Sequence, residues 1–261
     1  MTKRIAVVIG WPVEHSKSPA MMNAAFAATG IDAEMIRVAV PPAQFAAKLA
    51  ALRSLPMLGA SVTIPHKLAA HDRCDDLSPA ARAIGAVNCL ALDRGKLIGH
   101  NTDAPGFVAA ASAAGIALVD ANVILLGAGG AARAVAHGCR EAGAHVTVVA
   151  RAPETVTWIA AQPWSSLAAL FPTATLLIDC TSAGLDRSRD EELALTLPLG
   201  LLARDATVAT LIYARTILLE RASEQGHSTL DGRAMLVHQG ARAFTIWTGV
   251  PAPLDVMAAA L

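Results

Sequence analysis

Val123-Ile124-Leu125-Leu126-Gly127-Ala128-Gly129-Gly130-Ala131-Ala132-Arg133 takes four apolar residues straight into a glycine-rich turn. A helix-forming run from Ala131 to Ala142 follows. Gly127, Gly129 and Ala132 fit the pattern G-x-G-x-x-G/A, in which each small residue has a physical task. The first permits a tight strand-to-helix turn, the second lets the backbone approach a pyrophosphate, and the third lets the helix pack close to the strand. The helix N-terminus then presents N–H groups and a partial positive charge to phosphates. A second strand pattern, His145-Val146-Thr147-Val148-Val149, completes a dinucleotide-binding βαβ unit. The plain alternative is an α/β turn with no ligand. At the end of that second strand a carboxylate binds a ribose 2′-hydroxyl, whereas an arginine accommodates a 2′-phosphate. This chain has Ala150-Arg151-Ala152 there, with no carboxylate before Glu154, so NADP is expected rather than NAD.

Downstream, the pattern from about Gly106 to Leu230 reads as one Rossmann-like unit. Leu176 to Cys180 is a strand ending in Thr181-Ser182-Ala183-Gly184, and Val208 to Tyr213 is another. Small hydroxyl residues at the carboxyl ends of parallel strands lie where such sheets bind ligands. Arg187 to Ala194 is charged and reads as an exposed loop, and Met235 to Phe244 as a helix carrying Gln239.

Upstream, strands over Ile5 to Ile9, Glu34 to Val40 and Gly59 to Ile64 alternate with helices over about Pro19 to Ala28 and Pro42 to Leu55. That order implies a mainly parallel α/β sheet. Pro19 suits a first helical turn with Ser18 as its N-cap, which leaves the Ser16 hydroxyl freer for a ligand. Ser61 and Thr63 share a strand face, and Pro65 starts a helix with Lys67 in its first turn. A cation is disfavoured there and its pKa is pulled down, which makes Lys67 a functional candidate; a solvent-facing lysine is the plain alternative. Ser78 to Ala86 reads as a short helix and Val87 to Leu92 as a strand containing Asn88. Asp93-Arg94-Gly95 turns the chain into a strand over Lys96 to Gly99. Asp103 follows at the start of a long helix, where its plain role is an N-cap.

The chain has 261 residues, 54% of them hydrophobic and only 16% charged, which provides a sizeable core. Lys+Arg and Asp+Glu both number 21, so net charge gives no reason to expect nucleic acid or an acidic membrane surface. Cys74, Cys89, Cys139 and Cys180 form no C-x-x-C, and three sit in apolar runs, as in a reduced cytoplasmic protein. The start has too short an apolar run for a signal peptide. The longest weakly polar stretch, between Asp103 and Asp120, falls short of a membrane span. The expected architecture is α/β with two domains. Residues 1–102 and 233–261 form a substrate-binding domain, and residues 103–232 form a Rossmann NADP domain.

An NADP domain behind a second α/β domain suggests hydride transfer, in which a proton must leave or reach the substrate oxygen as hydride moves at carbon. Lysine, near pKa ~10.4, needs help to serve at neutrality. Lys67 and Asp103 could supply it as a pair.

Gly10-Trp11-Pro12-Val13-Glu14-His15-Ser16-Lys17-Ser18-Pro19 resembles the N-terminal signature of the shikimate dehydrogenase family. Val62-Thr63-Ile64-Pro65-His66-Lys67, Gly85-Ala86-Val87-Asn88 and Asn101-Thr102-Asp103 are similar to further family blocks in the expected order. So are Gly127 to Ala131, Thr181 to Gly184, and Asp231-Gly232 through Gln239, so the resemblance covers almost the whole chain. It implies NADP-linked interconversion of 3-dehydroshikimate and shikimate, with Lys67 and Asp103 as the catalytic pair. It implies that Ser16 and Ser18 hold the substrate carboxylate. Thr63, Asn88, Asp103 and Gln239 bind ring hydroxyls, with Ser61 and Tyr213 also lining the site. Gly127, Ala128, Gly129, Gly130, Ala131, Arg151, Thr181, Ser182, Leu211 and Gly232 fall on cofactor positions. The implied partner is a small shikimate-like hydroxy acid, bound by a monomer or homodimer.

Several positions depart from the family pattern. Ser61 stands where the family usually has Asn, and Met22 replaces a common His. Ala150 and Ala152 flank Arg151 where Asn and Thr are usual, and a second basic residue nearby is missing. An Asp before Tyr213 is absent, and the segment after it is about two residues short. These changes leave a paralogue acting on quinate or an amino analogue as the alternative. A non-catalytic NADP-binding regulator would need a lost Lys67 or Asp103. A metal site at His66, His71 and Asp72 is disfavoured, because a spacing of five is poor for one helical face.

Overall fold

The computed structural model describes residues 3–261. The chain divides into two compact units. One runs up to Gly106 and includes Leu236–Leu261; the other is Phe107–Met235.

The first unit begins with β1 (Arg4–Gly10), α1 (Ser18–Thr29), β2 (Ala33–Ala39), α2 (Phe45–Leu52) and β3 (Met57–Val62). Then come α3 (Lys67–His71), β4 (Asp76–Leu77), α4 (Pro79–Ile84), β5 (Cys89–Asp93), β6 (Lys96–His100) and the start of α5 (Asp103–Ala113). Among the described residues its sheet runs β2-β1-β3-β5-β6-β4. Parallel pairing joins β1 to both β2 and β3, and β4 to β6, while β5 runs antiparallel to β3 and β6. Arg94 (φ 48°) and Gly95 (φ 81°) form the two-residue turn between β5 and β6. In β1, Ala6 and Val8 enter one core cluster and Val7 and Ile9 another, so helices must cover both faces of the sheet. A continuous apolar run in a parallel strand encodes that arrangement.

The second unit contains β7 (Asn122–Leu126), α6 (Gly130–Glu141), β8 (His145–Ala150), β9 (Ala161–Pro163), α7 (Leu167–Leu170) and β10 (Leu176–Asp179). Next are α8 (Arg187–Thr196), β11 (Thr207–Thr210), α9 (Ile217–Glu224) and β12 (Ser228–Leu230). Its order, β12-β11-β10-β7-β8-β9, is parallel throughout and is the doubly wound Rossmann arrangement. Ile124 and Leu126 of β7 pack on one side, Val123 and Leu125 on the other. The chain then enters α10 (Arg233–Thr248) and ends in α11 (Leu254–Ala259). Within the first unit, the Phe26 and Phe244 rings pack 5.5 Å apart between α1 and α10.

Several local expectations need correction. Arg187 to Ala194 is not a loop but most of α8. The Asp186 side chain caps it by accepting from the Ser188 and Arg189 N–H groups, and Asp190, Leu193 and Ala194 turn inward at helical spacing. Ser18 is not the N-cap of α1 but lies within the helix, with Lys17 at the cap position and no side-chain cap bond. The Ser16 hydroxyl accepts from the Ser18 N–H at 3.4 Å, so it does the local work assigned to its neighbour. The run from Pro42 to Leu55 splits into a short 3-10 turn and α2. Thr63 lies beyond β3, Asn88 just before β5 and Tyr213 beyond β11.

No helix among the described residues is long and apolar enough to cross a membrane. None of the four cysteines is in a disulfide, and burial pushes the Cys139 thiol up to about 12, which keeps it protonated.

Candidate functional site

Asp103 opens α5, but its carboxylate is not spent on capping the helix. Asn101 takes that role: its Oδ1 accepts from the Asp103 and Ala104 N–H groups at 3.1 and 3.2 Å. Its Nδ2 donates to the Ala86 carbonyl at 2.9 Å, which anchors the cap to the chain entering β5. The Asp103 side chain is thereby freed for other partners. Lys67 Nζ donates to its Oδ2 at 2.6 Å, and Asn88 Nδ2 donates to its Oδ1 at 2.9 Å. The ion pair is largely shielded, with the Lys67 and Asp103 side chains 13% and 5% exposed. Among the described residues, Asp103 is the one hydrogen-bond partner of Lys67 Nζ. An ammonium has three N–H donors, so two remain for a ligand.

Asn88 is held by its backbone from both sides. Its N–H donates to the His100 carbonyl at 3.1 Å, and its carbonyl accepts from the Val62 N–H at 2.8 Å. Its side chain joins three further groups: Nδ2 reaches Thr102 Oγ1 at 2.9 Å and Gln239 Oε1 at 3.3 Å, while Oδ1 accepts from the Thr102 N–H at 2.7 Å. Gln239 on α10 also donates to the Leu236 carbonyl at 2.8 Å. Its close seat depends on Gly106, where an added Cβ would lie 2.8 Å from Gln239 Cβ and 2.9 Å from its backbone nitrogen. Lys67, Asp103, Asn88 and Gln239 therefore form one bonded group. Asn101 and Thr102 belong to it without having been assigned a role. The Asn-Thr-Asp run before a helix was the available signal.

The other expected substrate residues are placed as follows. Ser16 and Ser18 are buried before and within the first turn of α1. The Arg37 guanidinium donates to the Ser16 carbonyl from Nε and Nη2 at 2.9 and 2.6 Å, which fixes that loop. Ser61 lies in β3 opposite Cys89, and the Thr63 N–H donates to the Ile9 carbonyl at 2.9 Å. None of these four joins the hydrogen-bonded group among the described residues. His66 is buried, with Nε2 2.7 Å from the Val40 carbonyl and its ring stacked on Phe45, which is a packing role.

In the second unit, the turn after β7 is built as its glycines suggest. Gly127 has φ +98°, a left-handed conformation that L side chains rarely adopt. Gly129 is the N-cap of α6, and a Cβ there would meet nothing within 4 Å, so the backbone is open to approach. Gly130 and Ala131 follow in the first turn, and the Ala128 carbonyl accepts from Trp158 Nε1 at 3.2 Å. Arg151 is exposed at the end of β8 and lines a cavity of about 560 Å³ with Trp164, Thr181, Ser182, Arg189 and Glu192. No second basic residue follows Arg151 in the loop after β8, but Arg189 of α8 lines the same cavity. Asp179, at the end of β10, is buried, and burial pushes its carboxyl above the usual range. Its Oδ1 accepts from the Thr181 N–H at 2.9 Å, which orients the loop carrying Thr181 and Ser182. Gly232 meets Leu211 closely, since a Cβ would lie 2.3 Å from the Leu211 carbonyl oxygen. Half-buried Tyr213 follows Ile212 in that segment. The open turn, the two guanidinium groups and the hydroxyls at the strand end together fit an NADP molecule.

Residues 8–90 match the shikimate dehydrogenase substrate binding domain, and residues 232–261 match the shikimate 5'-dehydrogenase C-terminal domain. A shikimate dehydrogenase (NADP(+)) of Symbiobacterium thermophilum is 41% identical, over 97% of this chain and 92% of its own length. The structure of shikimate 5-dehydrogenase from Thermus thermophilus in complex with NADP(H) and shikimate superimposes with a TM-score of 0.88 at 35% identity, over 98% of each chain. The ligand-free 5-ketofructose reductase of a Gluconobacter species matches with a TM-score of 0.81 at 33% identity, over 100% of this chain and 98% of its own.

Proposed function

The chain belongs to the shikimate dehydrogenase family, and from that premise we propose that it interconverts shikimate and 3-dehydroshikimate with NADP. The observation that carries this reading is the shielded Lys67–Asp103 pair, fixed on its far side by Asn88. Residues 1–102 with 233–261 bind the substrate, and residues 103–232 bind NADP, which supplies or accepts the hydride when bound. The turn from Gly127 through Ala131 holds the pyrophosphate on α6. Arg151 meets the 2′-phosphate, and Thr181, Ser182, Leu211 and Gly232 contact the rest of the cofactor. Ser16 and Ser18 take the substrate carboxylate, while Ser61, Thr63, Asn88, Tyr213 and Gln239 bind its ring hydroxyls.

In the oxidation direction the secondary hydroxyl passes its proton to Lys67 as the free amine, which becomes the ammonium bonded to Asp103, as hydride leaves carbon for NADP. In reduction the pair returns that proton to the ketone oxygen. Asp103 has both oxygens engaged, so its part is to hold Lys67 and a substrate hydroxyl in place. A polyhydroxylated acid calls for this density of polar groups, because each buried hydroxyl left unpaired costs ~1–3 kcal/mol. Cysteines outside any disulfide and the balanced charge support a cytoplasmic enzyme with small molecules as its partners.

The serine at Ser61 and the similarity to a 5-ketofructose reductase make substrate choice the point to test. Purified protein is assayed for reduced-nucleotide formation with shikimate or quinate and NADP, then with NAD, and for NADPH consumption with 5-ketofructose. Shikimate with NADP is expected to give the highest kcat/KM. Faster turnover of another acid, or of 5-ketofructose, would replace the substrate while keeping the chemistry.

A further inference from the structure

The loop after β8 offers only Arg151 to a 2′-phosphate, because Ala150 and Ala152 flank it and the next charged residue is Glu154. A phosphate monoester carries close to two charges, and one exposed guanidinium leaves much of that to solvent. The same cavity is also lined by Arg189 on α8. Arg189 lies in the first turn of that helix, whose N-terminus is fixed by two hydrogen bonds from the Ser188 and Arg189 N–H groups to Asp186 Oδ1, at 3.0 and 3.1 Å. Asp190, one residue on, is buried, and its Oδ2 accepts from the Ile217 N–H at 2.6 Å. The helix is therefore pinned on both sides of Arg189, and the base of its side chain is held while the guanidinium is left exposed. Among the described residues neither Arg151 nor Arg189 makes an ion pair. Two guanidinium groups on separate elements thus line one cavity, that of Arg189 within the electrostatic reach of Asp186 but in no ion pair with it.

We propose that Arg189 is a second specificity-determining residue for NADP, closing on the 2′-phosphate together with Arg151. The clamp spans two elements, unlike a pair of cations within one loop. Its parts are Arg151 at the end of β8, Arg189 on α8, and the hydroxyls of Thr181 and Ser182 between them in sequence. Guanidinium groups suit this task because they donate in a planar fork to phosphate oxygens. Glu192 lines the same cavity one helical turn after Arg189 and opposes the anion, so it sets an upper limit on affinity.

This inference rests on the NADP reading above, and the experiment separates the two. Dissociation constants for NADP+ and NAD+ are measured by calorimetry for the wild type, Arg151→Ala, Arg189→Ala, Arg189→Lys and Glu192→Gln. Loss of one charge-assisted bond to phosphate predicts that Arg189→Ala weakens NADP+ binding about 10- to 30-fold. NAD+ binding should change less than about twofold, which also reports that the unit is folded. Arg189→Lys should recover part of the loss, since the charge returns without the fork. Glu192→Gln should tighten NADP+ but not NAD+. If Arg189→Ala leaves the NADP+/NAD+ ratio unchanged while Arg151→Ala collapses it, the second clamp is wrong and the NADP reading stands. A wild type with no preference for NADP+ overturns both.

Discussion

Replacing Asn88 by Ala removes every bond that its side chain makes to Thr102, Asp103 and Gln239. The amide nitrogen has two hydrogens for three acceptors, so the Gln239 contact at 3.3 Å is the weakest of them. Two buried groups are stranded by the change: the Thr102 N–H, bonded at 2.7 Å, and one oxygen of Asp103, bonded at 2.9 Å. Each buried polar group left unsatisfied costs ~1–3 kcal/mol, so with two of them Asn88→Ala should cost roughly 2–6 kcal/mol. Water entering the space would bring the figure toward the lower end. That is a large part of the ~5–15 kcal/mol that keeps a protein folded. Urea denaturation followed by circular dichroism measures it, and the slope of the transition shows whether the folded state itself has changed.

Asn88→Asp separates hydrogen bonding from shape. It keeps an acceptor for the Thr102 N–H but turns a donor into a carboxyl facing Asp103. Two carboxylates this close, with the Lys67 ammonium bonded to only one of them, repel, so the carboxyl introduced at position 88 keeps a proton that the unfolded chain releases. A folded pKa raised above the unfolded value gives stability that is full at low pH and lost as pH rises. Relative to wild type, Asn88→Asp should therefore weaken progressively from about pH 4 toward neutrality. An Asn88→Ala protein with the wild-type urea midpoint, or an Asn88→Asp penalty that does not vary with pH, would refute the reasoning.

Two other perturbations follow from the geometry. Burial raises the Asp179 carboxyl above the usual range, helped by the charge of Asp190 and opposed by hydrogen bonds from Thr181. Its contribution to stability is therefore complete below the ordinary carboxylate pKa, about 3.9, and is lost as pH rises through the raised folded value. Asp179→Asn should gain on wild type over that window in urea midpoint and level off above it; a gap independent of pH would show that the carboxyl is unperturbed. Gly106→Ala places a Cβ 2.8 Å from Gln239 Cβ and 2.9 Å from its backbone nitrogen, so α10 must shift. Crowding of this kind costs ~1–3 kcal/mol, and kcat/KM for shikimate should fall about tenfold or more while NADP affinity is kept. Unchanged kcat/KM would mean that the seat of Gln239 does not matter to turnover.

The legibility of this chain in its sequence followed the range of each interaction. The strand, glycine turn, helix and second strand from Val123 to Val149 are set by neighbours in sequence, and the glycine pattern placed them correctly. Caps were harder, because candidates one or two residues apart compete. Asn101 displaced Asp103 at the start of α5, and Lys17 displaced Ser18 at the start of α1. Charge misled over Arg187 to Ala194. The inward spacing of Asp190, Leu193 and Ala194 outweighed the polar run, and Arg189 was lost to view with the helix that carries it. The bonded group in the first unit was beyond any local rule. Lys67 and Asp103 are 36 residues apart and Asn88 and Gln239 are 151 apart, so only resemblance to a family could join them.

That Lys67 and Asp103 handle the proton in an NADP-linked oxidation of shikimate is tested most directly by steady-state NADPH formation from shikimate, compared between wild type and Lys67→Ala. The expected result is brisk wild-type turnover and a kcat lowered ~10²- to 10⁴-fold in the variant, with KM changed only modestly. A variant that keeps its kcat and loses only in KM would make Lys67 a binding residue and contradict the account.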